Sequence, residues 1–200
     1  MLGIFLDVES TGLDSTKHRV IEIAFQIYHL PTGSKRAVGH YRVRQPKEVW
    51  DKSDPISLEV NGFTWDEVCE GESEQVVAES IKTLFCQLGV ERGHAVFICQ
   101  NPAFDKAFFA QLIDIYVQEK LNWPYHWLDF ASMYWTLKTR KILQEGHEWP
   151  ETFSLSKDSI AEEYQIPKEA RPHRAMNGVE HLINCYRHVV GMGDHVAIHP

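Results

Sequence analysis

The order of apolar segments along the chain predicts a mixed α/β fold. Three observations carry that reading. The chain opens on an apolar run that ends in two acids, two further strand-like runs flank a tight turn, and helical and strand-like segments alternate from residue 73 onward. Residues 2–7 form the first expected strand, inside "FLDVESTGL" at 5–13. In an extended chain alternate side chains share a face, so Asp7 and Glu9 point the same way. Two neighbouring carboxylates repel each other, and burial raises the cost of both charges, so they face either water or a cation. "RVIEIAFQIYHL" (19–30) and "RAVGHYRVR" (36–44) are the second and third strands, and "PTGS" at 31–34 suits the hairpin between them.

Residues 73–89 place Val76, Val77, Ile81, Leu84, Phe85 and Leu88 at helical spacing. "AVFICQ" (95–100) is a short, continuous apolar strand of the kind buried on both faces. A helix follows from "NPAFDKAFFAQLIDIY", with Asn101 suited to the N-cap and Pro102 to the first helical position. Asp105 then falls near the positive end of that helix. If this strand lies beside the first, Asp105 approaches the carboxyl end of strand 1, where open α/β sheets place their sites. "HWLDF" (126–130) gives a fifth short strand, and helices are expected near 130–144, 154–164 and 176–190. His173 sits on a loop before the last of these, and residues 191–200 are expected to form a loose tail.

Bulk properties narrow the function classes. Two hundred residues, 44% of them apolar, suffice for one sizeable core. No apolar stretch reaches the ~18 residues that a membrane span needs, and the N-terminus does not read as a signal peptide. Cys69, Cys86, Cys99 and Cys185 are scattered without a C-x-x-C pair, which reads as reduced, mostly buried thiols and a cytoplasmic location. A net charge of −8 argues against a protein that coats nucleic acid, though not against a local site where metal reverses the sign.

Together these segments resemble the DEDD (DEDDh) 3′–5′ exonucleases. "FLDVESTGL…VIEIA" resembles their first motif, D-x-E with a Thr-Gly turn; "ISLEVNGFT" (56–64) resembles the stretch before their second; "QNPAFD" (100–105) resembles N-x-x-F-D, with Gln100 where a His is common. "WLDFASMY" resembles the aspartate-bearing strand between motifs, and "HRAMNG" resembles the opening of the third motif, H-x-x-x-x-D. The likeness is nearest to the epsilon proofreading subunits of bacterial DNA polymerase III and to ribonuclease T. It implies a ribonuclease H-like fold: an exonuclease domain over 1–190 with a five-stranded mixed sheet flanked by helices, strands 1 to 3 antiparallel and strands 4 and 5 parallel to strand 1. It also implies removal of nucleotides from 3′ ends with two Mg²⁺ or Mn²⁺ ions. In that reading Asp7 bridges both metals, Glu9 holds one, Asp105 reaches the other, and His173 is the general base. Thr11, Leu13, Asn101 and Phe104 are the implied substrate-binding positions. The implied partners are single-stranded or 3′-overhanging DNA or RNA, with a polymerase partner or a homodimer as further options.

The chemistry agrees with those roles. Mg²⁺ takes carboxylate and phosphate oxygens, two such ions stabilise the entering and leaving oxygens of an in-line displacement, and a histidine exchanges protons near neutral pH. Taken singly, the residues have plainer readings: a solvated strand end for Asp7 and Glu9, a favourable helix start for Asp105, an ordinary loop histidine for His173. His181, Cys185 and His188 share a helix face that reads as packing rather than zinc. Trp123, Trp127, Tyr134 and Trp135 read as core rather than as base-stacking residues.

The likeness breaks five residues after His173, where Gly178 replaces the last aspartate. Glu180 lies about 200° round a helix from that position and His181 about one turn along. Either the site is weakened or another group compensates, and the alternative to an exonuclease is a weakly active or non-catalytic relative that binds nucleic-acid ends or a polymerase. On the sequence alone, Gly178→Asp is expected both to complete a metal site and to relieve a glycine penalty of about 1 kcal/mol.

Overall fold

In the computed structural model, which describes residues 1–193, β1 (Leu2–Ser10) is the middle strand of a five-stranded sheet ordered β3-β2-β1-β4-β5. β2 (Val20–His29) pairs antiparallel with β1, and β3 (Ser34–Arg42) antiparallel with β2. β4 (Ala95–Cys99) runs parallel to β1, and β5 (Trp127–Asp129) parallel to β4. This is the expected mixed sheet. The β2–β3 connection is a short 3₁₀ turn at Leu30–Thr32 closed by Gly33, whose φ of 63° a glycine adopts without strain.

β1 runs further than its apolar segment, to Ser10, because pairing with β2 continues through Asp7↔Ala24 and Glu9↔Glu22 before a bulge between Glu9 and Ser10. Both acids therefore sit inside the paired strand. Alternation sorts its side chains between two layers. Ile4, Leu6 and Val8 join a core with Val77, Ile81 and Phe85 of α4 (Glu74–Gln87) and Phe108 and Phe109 of α5 (Pro102–Leu112). Phe5 faces the other way, onto Phe130 of α7 (Phe130–Glu145), Ile160 of α8 (Lys157–Glu163) and Val179 and Leu182 of α9 (Ala175–Val189). By the same parity Asp7 and Glu9 belong to the α9 side.

Four short helices were not anticipated: α1 (Lys47–Trp50), α2 (Pro55–Asn61), α3 (Trp65–Cys69) and α6 (Ile115–Lys120). Each is too short to show a periodic apolar stripe, and caps set three of them. Asp54 accepts from Ile56 N–H, Asp114 from Tyr116 N–H, and Thr64 with Glu67 forms a capping box. α2 is also a strap. Asn61, buried, donates to the Ser10 carbonyl, and Asp54 N–H donates to the Thr11 carbonyl, so the segment 54–61 holds the carboxyl end of β1.

All four cysteines are free, with Cys99 and Cys185 buried but Cys69 partly exposed and Cys86 exposed. No helix among the described residues is long and apolar enough to cross a membrane. Met192 is buried and Gly193 N–H donates to the Leu30 carbonyl, so the chain still packs on the sheet at 191–193. The rest of the expected tail lies outside the described residues.

Phe85 is fully buried, with ring centroids of Phe25 and Trp123 at 5.3 and 5.0 Å. Phe85→Ala is expected to cost about 3–5 kcal/mol in urea unfolding, with little change in denaturant slope. A loss below about 1 kcal/mol would mean that this layer is not tightly packed.

Candidate active site

The carboxyl end of β1 opens into a cleft that Asp7, Glu9 and His173 line together with Lys157, Asp158 and Glu169. Asp105, in the first turn of α5, lies beside them but is buried beneath the surface, 2% exposed, and its Oδ1 has no hydrogen-bond partner. Four sequence-derived positions thus come together at the carboxyl end of the central strand.

His173 is fixed from two sides. Its backbone N–H donates to the Val60 carbonyl on α2, while the neighbouring Arg174 donates to Gly62 O and Glu67 and covers the Phe63 ring at 3.7 Å. Gly62 has φ 65°, and a side chain there would press on Pro172. The "VNGF" stretch is therefore a backbone clamp for the histidine loop. The His173 ring meets Glu169, Nδ1 to Oε1 at 2.9 Å. An ionised carboxylate only accepts, so Nδ1 carries the proton of this contact, and Nε2 is the ring nitrogen left facing away from Glu169. Burial acts to raise the Glu169 carboxyl, but His181, Lys157 and His173 outweigh it and hold it at about 2.

The other acids are pushed the opposite way. Burial, with Glu169 and Glu22 adding repulsion against the Lys157 ammonium, raises Asp7 from 3.8 to about 7. Burial and the charges of Asp7, Glu22 and Glu169 raise Glu9 from 4.5 to about 9. Burial and then Asp7 raise Asp105 well above the usual carboxylate range. Glu22 repeats the theme: it faces Glu9 across the strand pair, yet His40 donates to it at 2.7 Å and Ala175 N–H at 2.7 Å. Through that second bond β2 caps α9, whose own N-cap residue Arg174 supplies no side-chain cap. The α9 start is thereby pinned over β1.

Gly178 is where this pinning matters. A Cβ at 178 would stand 1.9 Å from Asp7 Oδ2. Position 178 does face the acidic centre, as the motif spacing implies, but the Asp7 carboxylate fills the space a side chain would need. The expected relief of a glycine penalty is overturned, because overpacking outweighs helix propensity. Glu180 points away and accepts from Gln26 at 3.4 Å, while His181 is buried with Nδ1 3.8 Å from Glu169.

The four positions expected to bind substrate lie outside the cleft lining. Thr11 is fully buried and its hydroxyl accepts from Arg19 N–H, so its side chain serves the turn. Leu13 is 76% exposed on that turn. Asn101 occupies the α5 N-cap position at φ 57° without a side-chain cap, and its N–H donates to Asp129. Phe104 is half-buried against the core and Phe108. Trp123 and Tyr134 are core and Trp127 is partly buried against it, but Trp135 is 44% exposed and is not core; His188 bonds the Asn184 carbonyl. Sequence reasoning missed Lys157 and Glu169. Neither carried a motif signal, although Glu169 stands four residues before His173.

The donor set suits a hard divalent cation: three carboxylates whose ionisation burial opposes, and an orphaned Asp105 oxygen. As placed, however, no group of three or more His, Cys, Asp or Glu side chains among the described residues gathers closely enough to hold a metal. Asp7, Glu9 and Asp105 are the residues present whose chemistry would suit one such ion. Position 178 offers no carboxylate, and the Lys157 ammonium lies in the same cleft.

A family model described as Exonuclease, the RNase T model, matches residues 4–186. No curated protein matches the sequence. Solved structures share the fold. The cell-death related nuclease 4 (CRN-4) aligns with TM-score 0.67 and 16% identity over 93% of this chain and 62% of its own. E. coli exonuclease I in complex with a dT13 oligonucleotide aligns at 0.69 and 17%, over 94% of this chain and 41% of its own. The zinc-ion-bound form of the E. coli enzyme with single-stranded DNA aligns at 0.68 and 17%, over 93% and 40%. The chain thus spans less than two thirds of the proteins it resembles.

Two outcomes follow for stability. Asp7 and Glu9 hold protons in the folded state that the unfolded chain loses above about pH 4. With metal chelated, stability should therefore fall as pH rises from about 4 towards 7 for Asp7 and 9 for Glu9. Melting temperature against pH checks this, and Asp7→Asn should flatten the slope. Gly178→Ala is expected to destabilise by about 1–3 kcal/mol, and Asp7→Ala in the same chain to recover most of it. An additive double variant would mean that the two positions do not touch.

Proposed function

The chain belongs to the RNase T exonuclease family, and from that premise we propose that it is a metal-dependent 3′–5′ exonuclease acting on single-stranded or 3′-overhanging DNA or RNA. The observation that carries the reading is the convergence of Asp7, Glu9 and Asp105 beside a histidine whose Nδ1 is committed to Glu169. In this reading His173 Nε2 takes the proton of the attacking water, and Glu169 keeps the ring in the tautomer that leaves Nε2 free. Glu169 also stabilises the imidazolium once the proton has moved. Asp7, Glu9 and Asp105 would hold Mg²⁺ or Mn²⁺, and a bound ion would supply positive charge to a phosphate oxygen. Leu13 and Phe104 remain the positions offered for contact with terminal bases, Leu13 because it projects from the turn beside the strand end.

A second reading, end binding with little or no hydrolysis, draws support from the missing carboxylate at 178. One experiment separates the two. An oligonucleotide labelled at the 5′ end, and the same one blocked at the 3′ end, is incubated with Mg²⁺ or Mn²⁺. Ladder formation only on the free 3′ end supports the exonuclease, and binding without a ladder supports the second reading. His173→Ala is expected to slow cleavage about 10²–10⁴-fold. Glu169→Gln should slow it less and shift the pH profile, since the ring then loses its anionic partner.

A further inference from the structure

Lys157 is a charged residue that the reading above leaves without a role. It opens α8, its side chain is 13% exposed, and it lies within the acidic cleft. Its Nζ pairs with Glu169 Oε2 at 2.8 Å and donates to the Gly178 carbonyl at 3.2 Å. That carbonyl belongs to the residue where the last carboxylate is missing. Three features therefore coincide. The side chain that would complete a second metal position is absent, the Asp7 carboxylate leans into the gap it leaves, and a buried ammonium is anchored on the backbone of the same residue. An ammonium has three N–H donors, and the two partners leave one for the cleft.

We propose that the Lys157 ammonium takes the place of one of two divalent ions, so that the centre holds a single Mg²⁺ or Mn²⁺ on Asp7, Glu9 and Asp105 beside a built-in lysine cation. This rests on the reading that those carboxylates hold metal. A divalent ion next to a buried ammonium meets like-charge repulsion in a poorly screened site, which disfavours filling both positions. The lysine can neutralise Asp7 and Glu169 and donate a hydrogen bond to a phosphate oxygen. It is not a Lewis acid, so removal of the proton from water falls to His173 and Glu169.

The test counts Mn²⁺ bound per chain, by titration calorimetry and by electron paramagnetic resonance of free Mn²⁺, with no nucleic acid present. The wild-type chain is expected to bind one ion. Lys157→Met keeps the bulk of the side chain without its charge and should bind a second, because Asp7, Glu9 and Glu169 then lack their cation. Lys157→Arg keeps the charge and should stay at one. Two ions on the wild-type chain, or one on a folded Lys157→Met, would overturn the proposal. If Lys157→Met does not fold by circular dichroism, the wild type and Lys157→Arg decide: one ion on each sustains the proposal, two on either ends it. No Mn²⁺ on any chain removes the metal reading of the site, and this proposal with it. Cleavage does not enter the count, so an inactive protein that binds one ion fails only the exonuclease reading.

Discussion

Asp7 and Glu9 carry the central strand of the sheet past its apolar part into a region where burial opposes their charge. Most of the features around them answer that constraint. The strand cannot end sooner, because its pairing with β2 continues through both acids and places Glu22 opposite Glu9. Three carboxylates thus crowd one strand pair, with Asp105 arriving from α5 and Glu169 from the loop before α9. A protein core tolerates such a cluster only where cations, N–H donors or retained protons offset it.

Each acid is met differently. Glu22 receives the His40 ring and the first N–H of α9, and this makes it a strut between β2 and that helix. Glu169 receives Lys157 and His173 and stays ionised. Asp7, Glu9 and Asp105 receive less and are driven towards their protonated forms. The acids that are well paired build the frame. Those that are poorly paired line or underlie the cleft, where an added cation would gain most. A cluster that lowers stability in the empty protein is thus the one best prepared for a charged ligand.

The frame extends to segments that carry no chemistry. Asn61 and Asp54 tie the end of β1 to α2, and α2 in turn accepts the His173 backbone N–H. One short helix therefore sets the separation between the first and last motifs. Gly178 lets α9 pass directly over the Asp7 carboxylate, and the absence of a side chain there allows the observed closeness of helix and strand.

The strands, the long helices and the nearness of Asp7, Glu9, Asp105 and His173 at the end of β1 were legible in the sequence. Their signals are local: apolar periodicity, a hairpin turn, a helix with Pro102 at its start, and acids at fixed positions relative to these. The short helices were not, since four to seven residues carry no period and depend on caps. Lys157 and Glu169 were equally hidden. A lysine at a helix start and a glutamate before a proline loop look like surface residues in one dimension. Only the packing of α8 and α9 on the sheet buries them beside Asp7. Thr11 shows the reverse, a motif residue whose hydroxyl is consumed by its own turn. The sequence by itself determined which groups carry charge and which strand presents them. The tertiary structure decided which of those charges are paired, because pairing depends on distances between segments that lie far apart along the chain.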